Sequence, residues 1–155
     1  ADTMAARDAA IAAGAGTQGA RAYASGVQLV PRVTWTALDL DLERWDNDDI
    51  HDLVVNNSRL TCKTAGTYMM TGMVGIFLNA GQLCALQIYL NGTTPIGETT
   101  EFWAINGVVI DQVSCIYQLA LTDYIELRIY HTSGAAQNTF VTAQTSIEFM
   151  MQRIG

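Results

Sequence analysis

The 155-residue chain reads as an all-β protein, an antiparallel β-sandwich preceded by an N-terminal arm that is extended or partly helical. Three observations predict this. From Val27 onward, apolar residues recur with a period of two, the signature of half-buried strands. Polar breaks such as Asn91-Gly92 and Thr122-Asp123 separate those runs. No amphipathic helical pattern lies between them, so the strands are expected to pair antiparallel in two packed sheets.

The N-terminal part differs in composition. Ala1 to Gly26 is built from Ala, Gly and Thr, with a helix-favouring segment from Asp2 to Ala13 that Gly14, Gly16 and Gly19 would end. So few large apolar groups cannot hold an isolated helix in water. Residues 1–30 are therefore expected either to order against another surface, through Met4, Ile11, Tyr23, Val27 and Leu29, or to be a disordered tail. The sandwich domain is placed at residues 31–155. A chain beginning at Ala1 is expected to have lost an initiator Met and to be a complete small protein.

Within the domain, Asn56 to Gly72 (NNSRLTCKTAGTYMMTG) supplies a polar turn, a short strand, an Ala-Gly turn and the start of a long strand. On that strand Tyr68, Met70, Val74, Ile76 and Leu78 share one face, while Thr67, Met69, Thr71, Met73 and Phe77 share the other. Further strands are read from Leu86, Ile88 and Leu90 alternating with Gln87 and Tyr89, and from Ile125, Leu127 and Ile129 alternating with Tyr124, Glu126, Arg128 and Tyr130. Ile147, Phe149 and Met151 alternate with Glu148, Met150 and Gln152 in the last one.

The second faces bear on function. A strand wetted on one side normally carries polar or charged groups there, yet Met69, Met73, Phe77 and Tyr89 occupy such positions. They cannot all enter one core with their strand neighbours, so an apolar patch is expected, and such patches mark interfaces. Symmetric self-association buries them; loops folding over them within a monomer is the other reading.

Composition excludes several classes. Half of the residues are hydrophobic, 15% are charged and 2 are Pro, a globular profile. A net charge of −7 with 8 scattered Lys and Arg argues against a nucleic-acid partner, since phosphate binding works through cations that displace counterions. No apolar run reaches the roughly 18 residues of a membrane-spanning helix, and no membrane partner is expected. Residues 1–16 lack the basic start and compact apolar stretch of a secretory signal. Cys62, Cys84 and Cys115 lie in apolar strand patterns without CxxC spacing and are read as buried free thiols of a reducing compartment, a disulfide between one pair being the alternative.

The search for chemistry gives no catalytic, cofactor or metal assignment. Gly14-Ala15-Gly16-Thr17-Gln18-Gly19 matches GxGxxG but follows a helix-like segment rather than a strand, the reverse of a dinucleotide site. His51 and His131 are too few for a metal-binding jelly roll and are read as turn or surface residues. The stretch 39–52 holds Asp39, Asp41, Glu43, Asp46, Asp48, Asp49 and Asp52, oxygen donors of the kind calcium takes. It lacks the spacing of a helix–loop–helix site, and Asp39, Asp41 and Glu43 fit a solvated strand face. The Asn56-Asn57-Ser58 and Asn91-Gly92-Thr93 glycosylation patterns are read as turns. The cysteines have no basic neighbour to activate a thiol. A protein without catalytic activity is expected.

The motifs Gly66-x-Tyr68-x-Met70, Thr122-Asp123-Tyr124-Ile125-Glu126-Leu127 and Phe149-Met150-Met151 resemble the jelly-roll family of the complement globular head and the tumour-necrosis-factor-like domains. WDNDDIHD (Trp45 to Asp52), NNSRLT, AGTY, YLNGTT and TDYIELRIYHTSGAAQN look like the form found in tailed-phage virion proteins, over roughly Val33 to Gly155. The resemblance implies a homotrimer whose axis is lined from one sheet, and the candidate set is Tyr68, Met69, Met73, Phe77, Tyr89, Tyr124, Phe149 and Met150. It further implies a capsid decoration, or cement, protein assembled in the host cytoplasm onto the major capsid protein at the virion surface, the N-terminal arm reaching neighbouring subunits. The alternative is the receptor- or glycan-binding head of a phage tail or head fibre, engaging through Trp103, Asn106, Tyr130 and His131.

Overall fold

The computed structural model describes residues 18–155. The segment Asp2 to Ala13, the first four residues of the GxGxxG match, and the candidate contacts Met4 and Ile11 lie outside the described residues. Among the described residues twelve strands form two antiparallel sheets, and no helix occurs.

The larger sheet is organised around β6 (Gly66–Leu78), which pairs over its whole length with β9 (Gly107–Leu119). Its other edge is shared end to end by β12 (Glu148–Arg153) and β11 (Gln137–Phe140). Beyond β12 lie β1 (Gly19–Tyr23) and β4 (Leu42–Asp46), and beyond β11 lies β2 (Leu29–Val30). In the smaller sheet β10 (Tyr124–His131) is flanked on one side by β7 (Leu83–Leu90) and then β8 (Thr94–Phe102). On its other side are β5 (Arg59–Thr61) and β3 (Thr36–Ala37).

Alternation decides what each strand buries. Tyr68, Met70, Val74, Ile76 and Leu78 of β6 point between the sheets, as their period-two spacing predicts, and meet Leu86 and Ile88 of β7 and Ile125, Leu127 and Ile129 of β10. Phe149 and Met151 of β12 and Val109 and Val113 of β9 complete this core. Burial of a Leu, Ile, Phe or Met side chain contributes about 1.5–3 kcal/mol, so this layer dominates stability. Asn91 and Gly92, both with positive φ, turn β7 into β8, and Thr122 at φ 73 carries the break before β10.

The domain boundary differs from the expected one. The sandwich begins by Gly19 rather than at residue 31, because β1 lies between β12 and β4 with Ala20 and Ala22 fully buried. The Ala-Gly composition that suggested an arm is here what an enclosed strand requires: a Cβ on Gly19 would lie 2.7 Å from the Met151 carbonyl oxygen and from the Trp45 ring. Asp39 and Asp41 precede β4 instead of lining its face, and Asp41 accepts hydrogen bonds from the Ser25 backbone and hydroxyl.

Candidate functional site

The outer face of the seven-stranded sheet carries the second face of β6. Register places Phe77 opposite Val108, Gly75 between Ile110 and Phe140, Met73 between Gln112 and Glu148, Thr71 between Ser114 and Met150, and Met69 between Ile116 and Gln152. Ile116 is 62% exposed, Ile110 52%, Met69 47% and Phe77 43%, so the apolar side chains remain open to solvent. Met73 and Met150 are half-buried among them. Phe140 can lie over the strand because Gly75 has no side chain: a Cβ there would stand 3.1 Å from that of Phe140.

This band is bordered by charge. Glu148, 5% exposed at its side chain, accepts from Arg21 at 2.5 Å and from Arg44 at 2.7 Å, and the Arg44 guanidinium also lies 4.2 Å over the Tyr23 ring. Burial pushes the Glu148 carboxyl up, but the hydrogen bonds from Arg44 and Arg21 outweigh it and hold the group below its ordinary range. Exposed Trp45 and Leu42 of β4 end the sheet beyond this cluster.

The expected interface set therefore divides. Met69, Met73, Phe77 and Met150 share this face. Tyr68 and Phe149 do not: both are fully buried between the sheets, because their positions have the inward phase of β6 and β12. Tyr89 and Tyr124 lie on the other sheet, where Arg128 stacks 4.2 Å over Tyr89 and Arg59 4.0 Å over Tyr124. Ile110, Ile116 and Phe140 belong to the face but were not read from sequence. The alternation in β9 was obscured by Asp111, a carboxylate at an inward position between Val109 and Val113. Of the other contact candidates, Tyr23 is half-buried under Arg44, while Val27 and Leu29 are exposed.

The recognition candidates are scattered. Asn106 is exposed and its side-chain oxygen accepts from the Ala80 N–H at 3.0 Å. Trp103 is half-buried, and Tyr130 stacks on Trp35 with centroids 5.4 Å apart. His131 is fully buried rather than superficial: its Nε2 donates to the Val30 carbonyl at 3.0 Å and Nδ1 faces the Ser133 hydroxyl at 2.6 Å. His51 is likewise buried, with Nδ1 2.9 Å from Glu43 and Nε2 2.9 Å from the Asn57 carbonyl.

The acidic stretch is used in structuring the β4–β5 connection. Asp46 accepts from the backbones of Asp48 and His51, Asp48 from the Thr64 hydroxyl, and Asp52 from the Val54 and Val55 N–H groups. Those two backbone bonds, Val55 first, hold the Asp52 carboxyl below its ordinary range. Among the described residues no group of three or more His, Cys, Asp or Glu is placed to hold a metal ion. Cys62, Cys84 and Cys115 are all unpaired, and burial raises each thiol above its ordinary range.

No protein-family model matches the chain, and no curated protein matches its sequence. Solved structures do match. The globular domain of zebrafish complement 1qA protein superposes with a TM-score of 0.63 at 12% identity, over 88% of this chain and 96% of that one. Murine APRIL, in a crystal structure at pH 5.0, gives 0.67 at 7% identity over 90% of this chain and 100% of that one. The chain has the jelly-roll fold of the complement and tumour-necrosis-factor-like domains.

Proposed function

We propose that this protein is a non-enzymatic structural virion protein, a homotrimeric decoration protein of a tailed-phage head. The observation that carries the reading is the apolar band of Met69, Phe77, Ile110, Ile116 and Phe140 on the outer face of the larger sheet. Water is unfavourable beside so much exposed apolar surface, and a second and third copy of the chain would remove it at roughly 25 cal/mol per Å². The fold supports self-association, and the phage-like sequence motifs support the capsid setting. In this reading the trimer binds the major capsid protein at the virion surface, with the N-terminal segment reaching across neighbouring shell subunits. No nucleic acid or membrane takes part.

Sedimentation velocity of the purified chain, followed by cryo-electron microscopy of particles from its source, tests this. A trimeric mass and density for trimers at symmetry positions between capsomers are expected. A chain that stays monomeric at micromolar concentration would sink the assembly, and trimers found at a fibre tip would move the protein to receptor recognition. That second reading is favoured by exposed Phe102 and Ile105 beside the β8–β9 turn. They lie at the Leu78–Gly107 end of the sandwich, remote from Gly19, where β1 begins next to Gln152 and the Met69 end of β6.

A further inference from the structure

A second site lies on the opposite sheet. β5 and the start of β10 turn Leu60 and Ile125 inward and Arg59, Thr61 and Tyr124 outward. The β4–β5 connection folds beside them and closes a cavity of about 330 Å³ lined by Asp49, Asp52, Asn56, Arg59, Lys63 and Tyr124, among others. That volume is at the lower end of the roughly 300–1,000 Å³ of small-ligand sites. Because it opens from the outer side of the five-stranded sheet, it stays accessible when the apolar band on the other sheet is covered.

Among the described residues neither Arg59 nor Lys63 has a carboxylate within ion-pair distance, although 15 acidic residues outnumber 8 basic ones in the chain. The Arg59 guanidinium carbon lies 4.0 Å from the centre of the Tyr124 ring, and the Arg59 Nε–H is buried without an acceptor. A guanidinium set over an aromatic ring, with a lysine lining the same cavity, is an arrangement that recognises an oxyanion. The same wall presents carboxylates at Asp49 and Asp52, a hydroxyl at Thr61 and an amide at Asn56, groups that accept from and donate to hydroxyls.

We propose that this cavity binds an acidic saccharide, the sugar carboxylate set against Arg59 and Lys63 and the ring hydroxyls against Asp49, Asp52, Thr61 and Asn56. A carboxylate alone would leave Asp49, and the Asp52 oxygen that the Val54 and Val55 N–H groups do not reach, unanswered, and a neutral sugar would leave the two cations so. The assignment is independent of capsid attachment and of oligomeric state.

Isothermal titration of the full chain with tetragalacturonate tests it, alongside the fully methyl-esterified tetramer and γ-aminobutyrate, a zwitterion without ring hydroxyls. Saturable binding of tetragalacturonate is expected with a Kd below ~1 mM, weakened at least about tenfold in both Arg59→Gln and Lys63→Gln. Lys63 is exposed, so its substitution leaves folding intact should Arg59→Gln not fold. Absence of binding, equal binding of the ester, binding unchanged in Lys63→Gln, or equally tight binding of γ-aminobutyrate would each overturn the proposal.

Discussion

Gly72 of β6 and Leu127 of β10 face each other across the sandwich so closely that a Cβ on Gly72 would stand 2.4 Å from the Leu127 Cδ1. The glycine interrupts the inward apolar series between Met70 and Val74 and gives the leucine its space. Gly72→Ala should therefore lower stability by about 1–3 kcal/mol through overpacking, although alanine suits a strand no worse than glycine. Urea unfolding midpoints check this. Combined with Leu127→Ala, the loss should fall short of the sum of the single losses, because the second change removes the clash made by the first.

Glu148 sets a pH dependence in the acid range. Its folded pKa is depressed below the ordinary value of 4.5, so the stabilisation from Arg21 and Arg44 is complete above that value and is lost as pH falls through the folded one. Glu148→Gln should cost about 1–2 kcal/mol at neutral pH, kept modest because both arginines are partly solvated. The difference from the parent protein should shrink toward zero in acid. Thermal melts at pH 7 and in strong acid measure both.

Asp111 acts in the opposite sense. Burial raises its carboxyl above the ordinary value of 3.8, against hydrogen bonds from the Thr99 hydroxyl and the Gln112 N–H, and its second oxygen is buried without a partner. The folded state then holds this proton more tightly than the unfolded chain does. The Asp111 contribution declines as pH rises from 3.8 through the raised folded value. Relative to the parent, Asp111→Asn should gain stability across that window. A stability difference that is flat with pH would show that the carboxylate is not destabilised by burial.

Ile116→Glu places a charge at the most exposed position of the apolar band, opposite Met69. Ile116 lies outside the buried core cluster, so the isolated chain should retain its stability within the usual ±0.5 kcal/mol of a surface change. Self-association should weaken by at least about tenfold, because a buried charge without a partner costs several kcal/mol. Sedimentation across a concentration series reads this directly. An unchanged distribution would place the interface elsewhere.

Strands with a clear inward apolar phase were legible in the sequence. Alternation in Tyr68–Leu78, Leu86–Leu90 and Ile125–Ile129 specifies which side is buried, since a one-residue slip would expose the whole series. Several elements escaped that logic, β1 and β9 among them. In β1, Ala20 and Ala22 are too small to register as core, yet they are enclosed because β12 and β4 approach closely on both sides. In β9, the inward Asp111 broke the apolar phase and hid Ile110 and Ile116.

The chain's own residues established that it is an antiparallel sandwich with more apolar surface than one core can hold, because side-chain period and hydropathy are local properties. Which of those side chains meet was settled by pairing across long sequence distances. Register brings Phe140 and Met150 beside Gly75 and Thr71, sends Tyr89 and Tyr124 to the other sheet, and sets Arg59 on Tyr124 above a cavity lined by aspartates. Such neighbours are fixed by hydrogen-bonded register and sheet packing, which no local pattern encodes.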